Sequence, residues 1–163
     1  MIDQFIDRYG KRLYGLCLTL CTNTADAEDL YQETWLKVLK NFSKYREDQE
    51  FEPWLTAICV NTYRSSWRRL TRSPIFNGFR DDSEKDRILE STPAPEKEDH
   101  DDLHQAIENL PEKLRITVIL FYFEEMDIAS VSRILGIPPG TVKSRLNKAR
   151  LKIKKVLTDE TNL

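Results

Sequence analysis

The chain has 163 residues, enough for one ordinary domain or two small ones. A hydrophobic content of 40% is sufficient for buried cores, and a charged content of 32% with a formal net charge of -2 lies outside the range of disordered chains. No apolar run approaches the ~20 residues that a membrane span needs, and the N-terminal residues do not fit a secretory signal, so we expect a soluble cytoplasmic protein.

The first 73 residues show helical periodicity and almost no strand alternation. Apolar side chains recur at helical spacing from Phe5 to Leu20, which predicts a first helix. A second helix is predicted to begin near Asn23 or Thr24, because either side chain can cap it and acids follow that favour the helix dipole. A polar loop follows. The third helix is predicted to begin after Pro53, and its sequence carries arginines without acids.

The middle of the chain is strongly acidic. Residues 80–102 hold ten acids against four bases, a balance of -6, with prolines and little that a core would bury. Such composition is typical of a linker. The sequence therefore predicts two helical domains, residues 1–73 and 102–163, joined by a flexible acidic linker over residues 74–101.

The second block ends in a basic helix. Lys143 to Lys155 contains seven Lys or Arg and no acid, and its apolar residues fall on the opposite side of the helix. Charge alone favours neither of two interpretations, nucleic-acid binding or a solvated face paired with acids such as Glu124, Glu125 or Asp127. The preceding residues decide between them. DIASVSRIL, the turn GIPPG and TVKSRLNKAR form the layout of a helix-turn-helix, whose second helix enters the DNA major groove.

The cysteines and histidines do not form a metal-binding or disulfide pattern. Cys17, Cys21 and Cys59 are best interpreted as small buried residues in a reduced compartment, although Cys17 and Cys21 have the spacing of a ligand pair. His100 and His104 lie without thiolate companions in an acidic segment. With no nucleophile–base set and no phosphate-binding glycine loop either, we expect no metal, no cofactor and no enzymatic activity.

Four segments in series resemble the extracytoplasmic-function (ECF) sigma factors, the small two-domain group of bacterial RNA polymerase specificity subunits. DAEDLYQETWLKVLKNF is similar to region 2.2, which binds core polymerase, and FEPWLTAICVNTYRSSWRRL to regions 2.3 and 2.4, which open and read the promoter −10 element. LPEKLRITVILFYFEEMDIASVSRILGI and IPPGTVKSRLNKAR are similar to region 4, which reads the −35 element. The resemblance implies an all-α fold with a region 2 helical bundle and a region 4 helix-turn-helix.

The resemblance also implies where region 2 makes its contacts. On the second helix, a face that would otherwise be interpreted as plainly solvated becomes the expected polymerase-docking surface: Asp29, Gln32, Glu33 and Leu36. At the −10 element, phosphate contacts, base-edge contacts and stacking on an unpaired base are expected from the loop before the third helix and from that helix: Phe51, Asn61, Arg64, Arg68 and Arg69. The neighbouring Trp54, Tyr63 and Trp67 are more often core residues at such spacing.

In region 4, the recognition helix carries the residues that the resemblance assigns to the −35 element: Thr141, Lys143, Ser144, Arg145, Asn147 and Lys148. Asn147 stands where related proteins often have a bulky residue, which leaves the base preference open. Lys and Arg in the major groove favour guanine, with ~1–3 kcal/mol of discrimination for a bidentate contact.

The partners that the resemblance implies are core RNA polymerase, through its β′ and β subunits, promoter DNA, and a separate anti-sigma factor, often membrane-anchored. No small-molecule substrate and no direct membrane insertion are expected. The linker would serve either as a plain tether or as a segment in the RNA path of the polymerase. Two rival classes remain: a helix-turn-helix repressor whose first block binds a ligand or dimerises, and an adaptor that binds polymerase without DNA.

Overall fold

The computed structural model describes residues 2–71 and 102–161, with side chains described for residues 2–68 and 102–159. Every regular element in these ranges is a helix, and the helices form two compact units, which confirms the prediction of an all-α fold with two helical domains. The acidic segment predicted to be a linker, residues 74–101, lies outside the described residues. None of the helices within the described ranges is long and apolar enough to cross a membrane.

Within residues 2–71, the first unit is a bundle of three helices. Its elements are α1 (Ile2–Leu20), α2 (Thr24–Asn41), a short 3-10 turn (Phe42–Lys44) and α3 (Phe51–Thr71). All three helices pack against one another, and their apolar stripes form the core of the unit. At Gly10, α1 comes close to α2, because a Cβ there would lie 2.9 Å from the hydroxyl oxygen of Tyr31.

Two of the cysteines belong to this core. Cys17 on α1 and Cys59 on α3 are both fully buried, with their Sγ atoms 3.8 Å apart, and Cys21 is half-buried. The contact with Cys17 and the burial of the site raise the pKa of the Cys59 thiol well above its ordinary value. Cys17 and Cys59 therefore act as small apolar core residues, as the sequence predicts.

The sequence predicts the start of α2 correctly but not the start of α3. Asn23 caps α2, and its Oδ1 accepts a hydrogen bond from the Asp26 N–H at 2.8 Å, as predicted. The predicted start of α3 after Pro53 is wrong, because the helix begins at Phe51 and contains Pro53 in its first turn. Proline is tolerated there, since the N–H groups of a first turn have no partner within the helix.

The second unit comprises α4 (Asp102–Glu108), α5 (Glu112–Val118) with a π-helical continuation (Ile119–Phe123), α6 (Ile128–Leu135) and α7 (Pro139–Thr161). The core lies where α4, α5 and α6 pack against α7, which contributes Val142, Leu146 and Ala149. Arg115 is buried in the same unit and donates to Glu112 Oε1 at 3.1 Å, so its charge is neutralised locally.

The π-helical segment is a feature that the helical periodicity does not predict. The Glu124 N–H donates to the Ile119 carbonyl at 3.0 Å, and the Met126 N–H donates to the Leu120 carbonyl at 3.1 Å. The chain then turns through Glu125, whose φ of 54° lies in the left-handed region. A single π turn of this kind is often found at functional sites.

The helix-turn-helix is defined by its caps. Asp127 Oδ1 accepts a hydrogen bond from the Ser130 N–H at 2.8 Å at the start of α6. Gly136 ends α6 with a φ of 67°, and its N–H donates to the Ser132 carbonyl at 2.9 Å. Glycine adopts this left-handed conformation at little cost. The turn that the sequence predicts at GIPPG is therefore present, and α7 begins at Pro139.

Changing Asp127 to Asn is expected to make the stability of the second unit less sensitive to acid. The Ser130 hydrogen bonds, from its side chain first and then its backbone, lower the pKa of the Asp127 carboxyl from its ordinary value of 3.8. Because the folded pKa is below the unfolded one, the carboxylate stabilises the fold above that ordinary value, and this contribution is lost as the pH falls through the folded pKa. Asparagine keeps the cap acceptor but does not titrate.

Thermal unfolding of the full chain, followed between about pH 5 and pH 2, measures this effect. The fall in the midpoint temperature with acid should be smaller for D127N than for the unchanged protein. D159N, which removes an exposed acid near the end of α7, is the matched control and should retain the original profile. If the midpoint temperatures of D127N and of the unchanged protein fall equally with acid, the proposed role of the Asp127 cap is contradicted.

Candidate polymerase-docking and nucleic-acid interfaces

The outer side of α2 carries an apolar patch with an acidic and polar rim. Asp29 and Gln32 are exposed, and Leu36 is 58% exposed. Glu33 is half-buried and lies 3.8 Å from the Lys37 amine. Positions spaced by three, four and seven residues lie on one face of a helix, so these side chains form a continuous surface.

Leu39 belongs to the same surface and is not among the residues predicted from the sequence. It is 51% exposed and follows Leu36 by three positions. The spacing of the two leucines is a signal that the sequence contains, but it equally fits a core stripe until the buried side of α2 is known. We define the docking face by the five residues on this side of α2: Asp29, Gln32, Glu33, Leu36 and Leu39.

The loop before α3 is organised by a cluster of aromatic rings. Phe51 is only 4% exposed, and its ring centroid lies 4.4 Å from that of Phe5 and 4.9 Å from that of Tyr9. Tyr45 and Trp54 also contact it. The prediction of Phe51 as a loop residue that stacks on a base is therefore wrong. Phe51 is the first residue of α3 and anchors the helix and the loop to α1.

The polar side of α3 groups the other residues assigned to the −10 element. Asn61 is exposed, and its Oδ1 accepts a hydrogen bond from Arg64 Nη1 at 3.5 Å. Arg64 is half-buried, and Arg68 is exposed four residues further along the same face. The side chain of Arg69 lies outside the described side chains. The structure thus places an amide and two guanidinium groups along one stripe of α3.

The first half of α7 presents the residues predicted for the −35 element. Lys143, Ser144, Asn147 and Lys148 are exposed, whereas Thr141 and Arg145 are half-buried. Buried residues of α7 hold the other side of the helix against the unit. The recognition surface of α7 comprises its six assigned residues: Thr141, Lys143, Ser144, Arg145, Asn147 and Lys148.

The basic charge of α7 is directed outward. Among the described side chains, no ion pair joins the seven cations between Lys143 and Lys155 to Glu125 or Asp127. Exposed cations on the second helix of a helix-turn-helix are suited to a phosphate backbone.

Arg150 and Tyr122 extend this surface, although the sequence pattern does not single them out. Arg150 Nε donates to the Tyr122 hydroxyl at 2.7 Å, and its guanidinium carbon lies 5.7 Å from the centre of the Tyr122 ring. Arg150 Nη1 also donates to Asn147 Oδ1 at 3.2 Å. Arg150 and Tyr122 are 28 residues apart in the sequence, so helical periodicity does not predict the contact between them.

Both units match models of one protein family. Residues 5–73 match Sigma-70 region 2, and residues 100–153 match Sigma-70, region 4. The first range includes the docking face and the polar stripe of α3. The second includes the helix-turn-helix.

Individual relatives agree with these matches. The chain is 30% identical to the RNA polymerase sigma-H factor of Pseudomonas aeruginosa, over 95% of this chain and 85% of that protein. It is 31% identical to the ECF RNA polymerase sigma factor SigE of Mycolicibacterium smegmatis, over 98% of this chain and 63% of that longer protein. The chain therefore belongs to the sigma-70 family of RNA polymerase sigma factors, in its extracytoplasmic-function group, as the resemblance predicts.

A solved structure shows the same fold. The sigma factor RpoE of Bartonella quintana, crystallised in complex with the anti-sigma factor NepR, superposes with a TM-score of 0.72 at 20% identity, over 96% of both chains.

Proposed function

We propose that the protein binds core RNA polymerase, directs it to a set of promoters and assists the opening of their DNA, without catalysing a reaction itself. In this proposal residues 1–73 act as region 2, residues 102–163 as region 4, and residues 74–101 join them. The observation that carries it is the pairing of surfaces: a unit matching region 2 exposes an apolar docking face, and a unit matching region 4 exposes a basic helix. Because promoters and polymerase are its partners, we place it in the cytoplasm.

The docking face is suited to a polymerase subunit because exposed leucines are surrounded by polar groups. A patch of this kind marks a site for protein–protein contact, in which the apolar centre supplies most of the affinity and the rim supplies orientation. Leu36 and Leu39 form the centre, and Asp29 and Gln32 lie on the rim. We assign the contact to the β′ subunit, with the acids of the rim facing basic residues of the partner.

The stripe on α3 is suited to the −10 element because it combines an amide with cations. Asn61 would offer a donor and an acceptor to the edge of a base, and Arg64 and Arg68 lie along the same helix, where we expect them to contact phosphates. We assign Arg69 to the same role from its position in the sequence. The burial of Phe51 removes the stacking ring that the sequence suggests. Base recognition at this element then rests on the polar residues of α3 and on Tyr45, which is half-buried in the preceding loop.

The recognition surface of α7 is suited to duplex DNA in the −35 element. Its exposed lysines alternate with Ser144 and Asn147, which combine charge for the backbone with groups that read base edges. The buried side of α7 holds this surface rigidly, because Val142, Leu146 and Ala149 are all at most 2% exposed. Rigid presentation reduces the conformational entropy lost on binding.

We also infer control by an anti-sigma factor. The Bartonella quintana sigma factor with the same fold was crystallised with such a partner. In this chain the docking face on α2 is exposed, so the free protein has an apolar surface that a competitor of polymerase would cover. The β subunit of polymerase is a further expected partner, which the family membership supports.

Reconstitution with core RNA polymerase tests the proposed function. The holoenzyme is offered a library of genomic fragments, and run-off transcripts are sequenced. We expect initiation at a small set of start sites that share −10 and −35 sequences and are silent with core enzyme alone. A helix-turn-helix repressor would instead bind duplex DNA without polymerase and give two-fold symmetric footprints. Absence of a holoenzyme, or of selective initiation by it, would overturn the proposal.

A further inference from the structure

A chain of three side chains connects the π-helical segment to the recognition surface. Tyr122 lies 49% exposed on the π turn, and its ring packs edge-on against Phe121 with centroids 4.9 Å apart. Its hydroxyl accepts from Arg150 Nε at 2.7 Å, and Arg150 Nη1 donates to Asn147 Oδ1 at 3.2 Å. The guanidinium is held both by the hydroxyl and by the face of the ring.

The connection determines what Asn147 offers to DNA. A free asparagine amide pairs with adenine in two hydrogen bonds, accepting from N6 and donating to N7. In this structure the amide oxygen already accepts from a charged donor, which is one of the stronger kinds of hydrogen bond. That oxygen keeps a second lone pair, but the guanidinium cation beside it repels the N6 amino donor of adenine, so the amide acts on DNA mainly through its nitrogen, which remains to donate. An edge that carries only acceptors is the best match for it, and guanine presents N7 and O6 in the major groove.

We propose that Tyr122 is a specificity-determining positioning residue, which acts through Arg150 to orient the Asn147 amide so that one base pair of the −35 element is read as guanine in preference to adenine. This inference rests on the proposed function of α7. It assigns a role to an aromatic residue outside the helix-turn-helix and connects the π turn to base selection. Tyr122 itself does not contact DNA in this scheme.

The test uses holoenzyme assembled from core polymerase and the full chain. Each base pair of the −35 element of one responsive promoter is varied in turn, and run-off transcripts from all variants are counted together. Y122F removes the hydroxyl but keeps the ring, so we expect the guanine-over-adenine preference to fall by about 5-fold or more at one base pair. N147A should remove the preference at that same pair. Y14F, the same chemical change in the first unit, is the matched control and should leave the −35 profile unaltered.

A double variant separates positioning from a purely structural effect. If Tyr122 acts through Asn147, Y122F adds nothing to the base profile of N147A, because the coupled residues are not additive. A Y122F profile that is unchanged, or that falls equally at every base pair together with the thermal midpoint, would overturn the inference. An effect of Y122F that persists in full beside N147A would also overturn it. A wild-type holoenzyme without −35 base selection would overturn the proposed role of α7 as well, a result visible before any variant is compared.

Discussion

The change of Leu36 to aspartate is expected to weaken binding to core RNA polymerase by at least about tenfold while leaving the first unit folded. Leu36 is 58% exposed, so the substitution removes little from the core of the unit. Complete burial of a leucine at an interface contributes about 1.5–3 kcal/mol, and each 1.4 kcal/mol corresponds to a tenfold change in affinity. The added carboxylate must also be desolvated beside the acidic rim of the docking face, which increases the loss.

Competition for fluorescently labelled core polymerase measures this loss, and thermal unfolding reports on the fold. L103D is the matched control, because Leu103 is an exposed leucine (42%) on α4, outside the docking face. It should bind core polymerase nearly as well as the unchanged protein. The pair D29A and Q32A should give a smaller loss than L36D, since rim residues contribute mainly to orientation. Equal affinities of L36D and L103D would show that α2 does not dock through this face.

The assignment of the docking face illustrates what one sequence can establish. Leu36 was predictable because the resemblance to region 2.2 placed it among acids on one side of a helix. Leu39 was not, because a leucine at helical spacing is more often buried. Only the packing of α2 against α1 and α3 shows which leucines of the helix are left outside. The family resemblance thus predicts a docking surface on α2, and the packing shows which side chains are exposed there.

Local hydrogen bonds were the most predictable structural features. The Asn23 cap, which the sequence predicts, joins its side chain to an N–H three residues further on, and Gly136 supplies the left-handed residue of the predicted turn. The Asp127 cap has the same three-residue spacing. Such features depend on adjacent sequence, so a motif is enough to reveal them. The buried side of α7 was predictable for the same reason, because its apolar residues recur at helical spacing and can be buried together only on one side of the helix.

Long-range contacts were the features that the sequence did not reveal. The burial of Phe51 depends on Phe5 and Tyr9 of α1, which lie far earlier in the chain. A polar loop followed by proline predicts an exposed aromatic at this position, and tertiary packing reverses that expectation. The π turn similarly continues a regular apolar pattern, and its register change places Tyr122 where Arg150 reaches it. Neither arrangement has a signature in local periodicity.

The distribution of charge connects the two units in function. The chain is slightly acidic overall, yet the acids on α2 and the cations on α7 are kept on separate surfaces. In the proposed function the cations of α7 face the phosphates of DNA, and the acids of α2 face basic residues of the polymerase. A net charge near zero also limits non-specific DNA binding by the free protein.

Changing Lys148 to alanine is expected to weaken holoenzyme binding to the −35 element by about tenfold and to reduce the salt dependence of binding. Lys148 is exposed on the recognition surface, beside Asn147 and opposite the buried Leu146 and Ala149. If its amine neutralises a phosphate, its loss lowers the slope of log K against log salt concentration by about 1. If it reads guanine, discrimination at one base pair falls as well.

Binding of holoenzyme to a promoter fragment, titrated over a series of salt concentrations, gives both quantities. K155A is the matched control: it removes the same charge from an exposed position of the same helix, about 10 Å further along its axis. A slope that decreases in K148A but not in K155A places the DNA on the first half of α7. Equal slopes for K148A and the unchanged protein would remove Lys148 from the interface. Equal decreases in both variants would show a diffuse electrostatic field in place of a defined contact, since a general loss of charge acts at both positions alike.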